Sequence, residues 1–198
     1  GKYYVDVYFE KPPKNKKKFG KALGLDIGYK KLIATSDYKT YGHEMESVYE
    51  KISRKKQGSK AFKRALTERD NKTNQFINQL PLRRTKVLVV EDLKNLKQKT
   101  KGKLSKTFVN KVQRWSYRDV LGRLASLSEE LGFDFKKIDP AYTSQRCSAC
   151  GVICKSNRQG EIYKCACGLF LDADINASLN ILHLGVYSPQ ASYIKHDK

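Results

Sequence analysis

Two cysteine pairs, Cys147-Ser-Ala-Cys150 and Cys165-Ala-Cys167, stand fourteen residues apart and run at once into Asp172-Ala-Asp174-Ile-Asn176-Ala-Ser-Leu-Asn180. Four thiolates in two close pairs suit tetrahedral Zn²⁺, because each pair grips the metal through one tight turn while the chain between them loops out. The spacing predicts a structural zinc ribbon with Cys147, Cys150, Cys165 and Cys167 as ligands. A site closed by four protein ligands has no place for substrate, so any chemistry is expected of the aspartates that follow. The second pair has one intervening residue where a ribbon knuckle more often has two. Cys154 reads as a loop thiol, with substitution for one of the four ligands as the alternative. Cysteines used in this way suit a reducing compartment rather than a disulfide scaffold.

Forty Lys and Arg against twenty Asp and Glu leave a formal charge of +20. A chain so charged repels itself unless a polyanion is its usual partner, which points to nucleic acid. With 198 residues and 39% hydrophobic content it can bury one substantial core plus a small satellite module. No apolar run approaches the roughly twenty residues of a membrane span, and no signal peptide is visible, so a cytoplasmic location is expected. No glycine-rich phosphate loop is present, which argues against an ATPase or kinase. His43, His183 and His196 lack ligand spacing.

The order of elements predicts an α/β fold. Tyr3–Phe9 reads as a strand, and Lys11–Lys18 as an exposed basic linker. Leu23–Tyr29 and Lys31–Ser36 form a predicted hairpin, with a third strand near Tyr41–Met45, and Asp26 sits in its first strand. Val48–Gln79 is helical and polar, with a lysine-rich and arginine-rich first half. Lys86–Val90 is a continuous apolar run of the kind buried on both faces of a parallel sheet, closed by Glu91. Lys94–Lys106 carries six lysines and no acid, which predicts an exposed, mobile loop. Thr107–Leu131 has the strongest helical periodicity, ended by Gly132, with Trp115 and Tyr117 read as core residues. Phe133–Ile138 is a further strand and Asp174–Leu184 a closing helix. Together these predict a mixed sheet flanked by helices.

Asp26, Glu91 and one of Asp172 and Asp174 lie far apart in sequence, yet each falls where elements converge on one end of such a sheet. Hard oxygen ligands of this kind suit two Mg²⁺ ions about 3.5 to 4 Å apart, which clamp the attacking and leaving oxygens of a phosphodiester. That is nuclease chemistry.

Leu-Gly-Leu-Asp26-Ile-Gly, Val-Val-Glu91-Asp-Leu and Asp-Ala-Asp174-Ile-Asn-Ala-Ser-Leu-Asn resemble the three acidic motifs of the RuvC-like nuclease domain in the TnpB/OrfB proteins of insertion sequences. Type V CRISPR effectors share these motifs. Arg114-Trp-Ser-Tyr117, Asp139-Pro-Ala-Tyr-Thr-Ser-Gln-Arg-Cys147 and the cysteine module add to a resemblance that spans Leu23 to Leu182. It implies an RNase H-like (RuvC-like) mixed sheet with an inserted zinc ribbon, and RNA-guided cleavage of DNA with Mg²⁺ or Mn²⁺. The metal-binding triad it implies is Asp26, Glu91 and Asp174, and an assisting role for Asp172 is left open. Implied boundaries are 1–20 for the last strand of an upstream domain plus linker, 21–143 and 172–186 for the nuclease domain, 144–171 for the ribbon and 187–198 for a tail. The chain lacks a starting Met and reads as a fragment, with guide RNA held through the missing upstream domain. A non-cleaving binder or repressor with the same fold is the alternative, and a strand-transferring transposase has weaker support. Ser144, Gln145 and Arg146 are read as possible substrate contacts, as are the lysine loop and the Lys51–Arg64 face.

Overall fold

The computed structural model describes residues 3–8, 10, 12–93 and 114–187. Five strands, β1 (Lys21–Asp26), β2 (Ile33–Thr35), β3 (Thr40–Tyr41), β4 (Thr85–Glu91) and β5 (Asp134–Ile138), form one mixed sheet in the order β3-β2-β1-β4-β5. β1, β2 and β3 make an antiparallel meander, whereas β4 lies parallel to both β1 and β5. β4 is therefore the central parallel strand, and its apolar run Leu88, Val89 and Val90 is wholly buried. Both of its faces are covered, which is why it does not alternate apolar with polar.

Among the described residues, three helices cover one face. α1 (Met45–Ser53) buries Met45, Val48, Tyr49 and Ile52, an i, i+3, i+4, i+7 stripe. α2 (Lys60–Gln79) starts afresh after Gly58, where the Ser59 hydroxyl accepts from the Phe62 amide at 3.1 Å. One continuous helical stretch was expected from Val48 to Gln79; the cap and the turn before it divide that stretch in two. α3 (Tyr117–Leu131) buries Tyr117, Val120, Leu121, Leu124 and Leu127 and stops at Gly132. Leu23, Leu25, Leu88 and Val90 of the sheet join these helices in the main core.

The other face carries α4 (Ala173–Val186), packed on β1 and β4. The approach is close enough to require glycine on both sides. A Cβ on Gly24 of β1 would lie 2.3 Å from the Ser178 carbonyl oxygen, and one on Gly185 would lie 2.3 Å from Val89 Cγ1. Alternation along each strand then fixes the acids. Gly24 and Val89 face α4, so Asp26 and Glu91, two residues further on, point to the same side.

Between β5 and α4 lies a three-stranded antiparallel sheet of β6 (Arg158–Gln159), β7 (Ile162–Lys164) and β8 (Phe170–Asp172). Residues 3–8 form no strand, and their side chains are exposed. An alternating apolar pattern makes a strand only when an edge pairs with it, and no described strand does. The basic linker is less free than its composition suggests. The Lys14 amide donates to the Glu129 carbonyl at 2.8 Å and the Lys17 amide to that of Gly132 at 2.7 Å. Residues 94–106, the 107–113 part of the expected helix and residues 188–198 lie outside the described residues. No helix among the described residues is long and apolar enough to cross a membrane.

Candidate active site and cysteine metal centre

Asp26 ends β1, Glu91 ends β4, and Asp174 occupies the first turn of α4. All three line one cavity of about 510 Å³, together with Gly28, Thr143, Ser144, Arg158 and Glu161. Dense surroundings push the Asp26 carboxyl well above the usual carboxylate range, and the neighbouring charges of Glu91 and Asp174 push it further. Glu91 is also raised by burial, an effect opposed by the Thr143 hydroxyl, which donates to Glu91 Oε1. A carboxylate cluster at a strand end is costly without positive charge.

Some of that charge comes from two cations that sequence patterns did not single out. Arg158 of β6 donates from Nη2 to Asp174 Oδ1 at 2.8 Å. Lys31, in the β1–β2 turn, has a side chain only 7% exposed; it bonds Asp172 and lies 3.6 Å from Asp174 and 3.5 Å from Glu161. Asp172 thus has two structural duties, since its Oδ1 also accepts from the amides of Asp174 and Ile175 at 3.0 and 3.2 Å, capping α4. Ionic reach between residues more than a hundred positions apart leaves no periodic trace in a sequence.

Trp115 and Tyr117 brace the same end of the sheet. Trp115 Nε1 donates to the Gly28 carbonyl at 2.8 Å, beside Asp26. The Tyr117 hydroxyl donates to the Glu91 carbonyl at 2.6 Å and accepts from the Leu93 amide at 2.9 Å. Their apolar bodies join the core as expected, while their polar tips hold the backbone as it leaves the two acids. Ser144 reaches the cavity wall, whereas Gln145 and Arg146 act through their carbonyls.

The four cysteine sulfurs lie within 4.8 Å of one another, with Cys147–Cys167 at 3.6 Å and Cys150–Cys165 at 3.7 Å. Zn–S bonds of about 2.3 Å in a tetrahedron give S···S edges of about 3.8 Å, so the cluster fits a metal such as zinc. Cys154 is bonded to Ser156 instead. Among the described residues this is the one group of three or more metal-capable side chains gathered so tightly; the acids share a cavity at wider spacing. Buried Asn176 and Asn180 tie the cysteine module to α4. Asn176 accepts from the Ser148 amide at 3.0 Å and donates to the Arg146 carbonyl at 2.8 Å. Asn180 donates to the carbonyls of Thr143 and Arg146 at 2.9 and 2.7 Å.

These residues define a class: an α/β chain whose mixed sheet carries acids at one end, with a four-cysteine module set before the last helix. Within that class, the chain is related to the TnpB-like proteins and the Cas12f1 endonucleases. Residues 117–181 match the Cas12f1-like, TNB domain family. The chain is 50% identical over 72 residues to the CRISPR-associated endodeoxyribonuclease Cas12f1 of Sulfoacidibacillus thermotolerans, covering 35% of this chain and 17% of that protein. A TnpB-like protein of Methanocaldococcus jannaschii is 25% identical over 173 residues, covering 80% of this chain and 61% of its own length. Among solved structures, Cas12f1 in its complex with sgRNA and target DNA superposes with a TM-score of 0.58 at 18% identity, over 92% of this chain and 52% of the other. At that identity the likeness speaks for the fold. The chain thus matches less than two thirds of each of these relatives.

Proposed function

We propose that the chain is the nuclease portion of a TnpB-like, RNA-guided DNA endonuclease, with an RNase H-like (RuvC-like) fold over residues 21–143 and 172–186 and a zinc ribbon over 144–171. The observation that carries this reading is the meeting of Asp26, Glu91 and Asp174, from three distant parts of the chain, on one cavity. Their hard oxygen donors fit divalent cations such as Mg²⁺ or Mn²⁺, and the raised Asp26 carboxyl marks a place where positive charge is in demand. Bound there, two such cations supply the charge that stabilises attack on a phosphodiester and departure of its leaving oxygen.

The chain's own residues do the rest. Asp26 and Glu91 hold the cations from the sheet, and Asp174 holds them from α4. Arg158 is placed to release Asp174 and meet a phosphate oxygen, for which a guanidinium is well shaped. Thr143 orients Glu91. Cys147, Cys150, Cys165 and Cys167 hold Zn²⁺ and so set the position of Arg158 relative to Asp174. DNA is the substrate and a guide RNA the partner, as in the complex of the Cas12f1 relative.

A second reading, a binding protein that does not cut, draws on the pairing of Asp174 with both Arg158 and Lys31, which already neutralises one acid. Labelled single-stranded DNA incubated with Mg²⁺ or Mn²⁺, the chain, and an Asp174→Ala variant separates the two. Cleavage by the parent that falls at least 100-fold in the variant supports the nuclease. Equal cleavage by both removes Asp174 from the triad, and retention of DNA without cleavage favours the binder.

A further inference from the structure

Among the described residues, the charged groups lining the cavity of the triad are the acids Asp26, Glu91, Glu161 and Asp174 and the cations Lys30 and Arg158. Both cations are already held by acids of the chain itself. Arg158 is bonded to Asp174, and Lys30, in the β1–β2 turn, donates from Nζ to Glu161 Oε1 at 2.9 Å. The second oxygen, Glu161 Oε2, lies 3.5 Å from Lys31 Nζ. One carboxylate on the cavity wall thus bridges two ammoniums, as the two non-bridging oxygens of a phosphodiester would.

The parts of this contact differ in freedom. Glu161, in the β6–β7 turn, is fixed by its backbone, whose carbonyl accepts from the Ala173 amide at 2.8 Å at the start of α4. Its side chain is 48% exposed and that of Lys30 60%, so water screens the pair and holds it weakly. Lys31 is nearly buried and has Asp172 and Asp174 as further partners. Rotation of the Glu161 side chain alone therefore vacates Lys30, while Lys31 keeps two acids beside it. A strand that brings one phosphodiester to Asp26, Glu91 and Asp174 also brings the phosphates on either side, and a polyanion entering among four acids needs a cation on the wall. Lys30 is the more exposed of the two cations there, with the more exposed partner.

We propose that Lys30 is a subsite for the phosphate next to the scissile one, and that Glu161 occupies this subsite as an internal stand-in until substrate displaces it. The inference rests on the reading of the cavity as a nuclease site and names the side chain that takes the neighbouring phosphate. In this role Glu161 weakens the hold on substrate, because two anions compete for one ammonium.

The test reads single side chains. Acetylation of lysines by a succinimidyl ester is followed by mass spectrometry on the full chain while a fluorescent oligothymidylate of about 12 nucleotides is added, with Ca²⁺ present to balance the acids. Lys18, exposed and ahead of β1 at the end of that strand away from Asp26, is the internal reference. Saturating DNA is expected to slow acetylation of Lys30 by at least about 5-fold and of Lys18 by less than about 2-fold. In Glu161→Gln the DNA concentration that half-protects Lys30 should fall about 2- to 5-fold. Glu129→Gln removes the same charge from the exposed side of α3 and should shift it by less than about 1.5-fold. Equal protection of Lys30 and Lys18, or Lys30 left open at every DNA concentration, overturns the subsite, and equal shifts in the two glutamate variants overturn the stand-in role of Glu161. No cleavage is read, so DNA seated on Lys30 but never cut contradicts the nuclease reading alone, and cleavage that depends on Asp174 with Lys30 left open contradicts the subsite alone.

Discussion

Asp26 keeps its proton to higher pH in the folded chain than in the unfolded one, through its dense surroundings first and the charges of Glu91 and Asp174 second. The stability this gives is fully present below the ordinary carboxylate range of about 4 and is lost as pH rises through the folded-state value. Asp26→Asn keeps the shape and removes the titration. In urea melts without divalent cations the variant should gain on the parent as pH rises from 4 to 8, reaching an advantage of about 1 kcal/mol or more. A gap independent of pH would contradict the assigned cause. Glu91 was legible as a strand-end carboxylate because the apolar run before it shows in the sequence, whereas Asp26 was read inside a strand reaching Tyr29 and instead ends β1. Lys31 and Arg158 were not. Their partners lie on other elements, and a lysine or arginine beside a turn reads as solvated surface until tertiary packing places it against Asp174.

At the scale of elements, α4 is the part on which both centres depend. Its first turn carries Asp174, its cap is Asp172, and its buried Asn176 and Asn180 hold the chain that enters the cysteine module. Losing metal from the four cysteines should therefore loosen the start of α4 as well as the small sheet. One zinc per chain is expected by elemental analysis, with loss of stoichiometric zinc in Cys165→Ser. The melting temperature should fall by about 5 to 10 °C on chelation, as expected for a few kcal/mol in a chain of this size. Undiminished zinc in Cys165→Ser, or an unmoved melting temperature, would separate the module from the fold. The adjacency of cysteines and aspartates was visible in the sequence, and so was the buried central strand β4. Residues 3–8, read as the last strand of an upstream domain, pair with no described strand, since an alternating pattern reports a suitable side-chain order and not the presence of an edge to pair with. The division of the helical stretch before Ser59 was missed because one serine after a glycine is a weak signal in a lysine-rich run.

The molecule as a whole separates opposite charges along the sheet. Acids converge at the carboxyl ends of β1 and β4, the cysteine module leans over them, and the guanidiniums of Arg83, Arg84 and Arg123 gather at the opposite end. A formal charge of +20 gives the surface a pull on polyanions, and the cavity lined by Asp26, Glu91 and Asp174 gathers acids against that field. The central claim is that Asp26, Glu91 and Asp174 act as one metal site. Mn²⁺ binding by calorimetry or electron paramagnetic resonance tests it most directly, on the parent and on Asp26→Asn, Glu91→Gln and Asp174→Asn. Each variant is predicted to weaken binding at the site by at least 10-fold, while Glu129→Gln, on the exposed side of α3, leaves it unchanged. Parent-like Mn²⁺ affinity in any one of the three would remove that acid from the site, and parent-like affinity in all three would contradict the account.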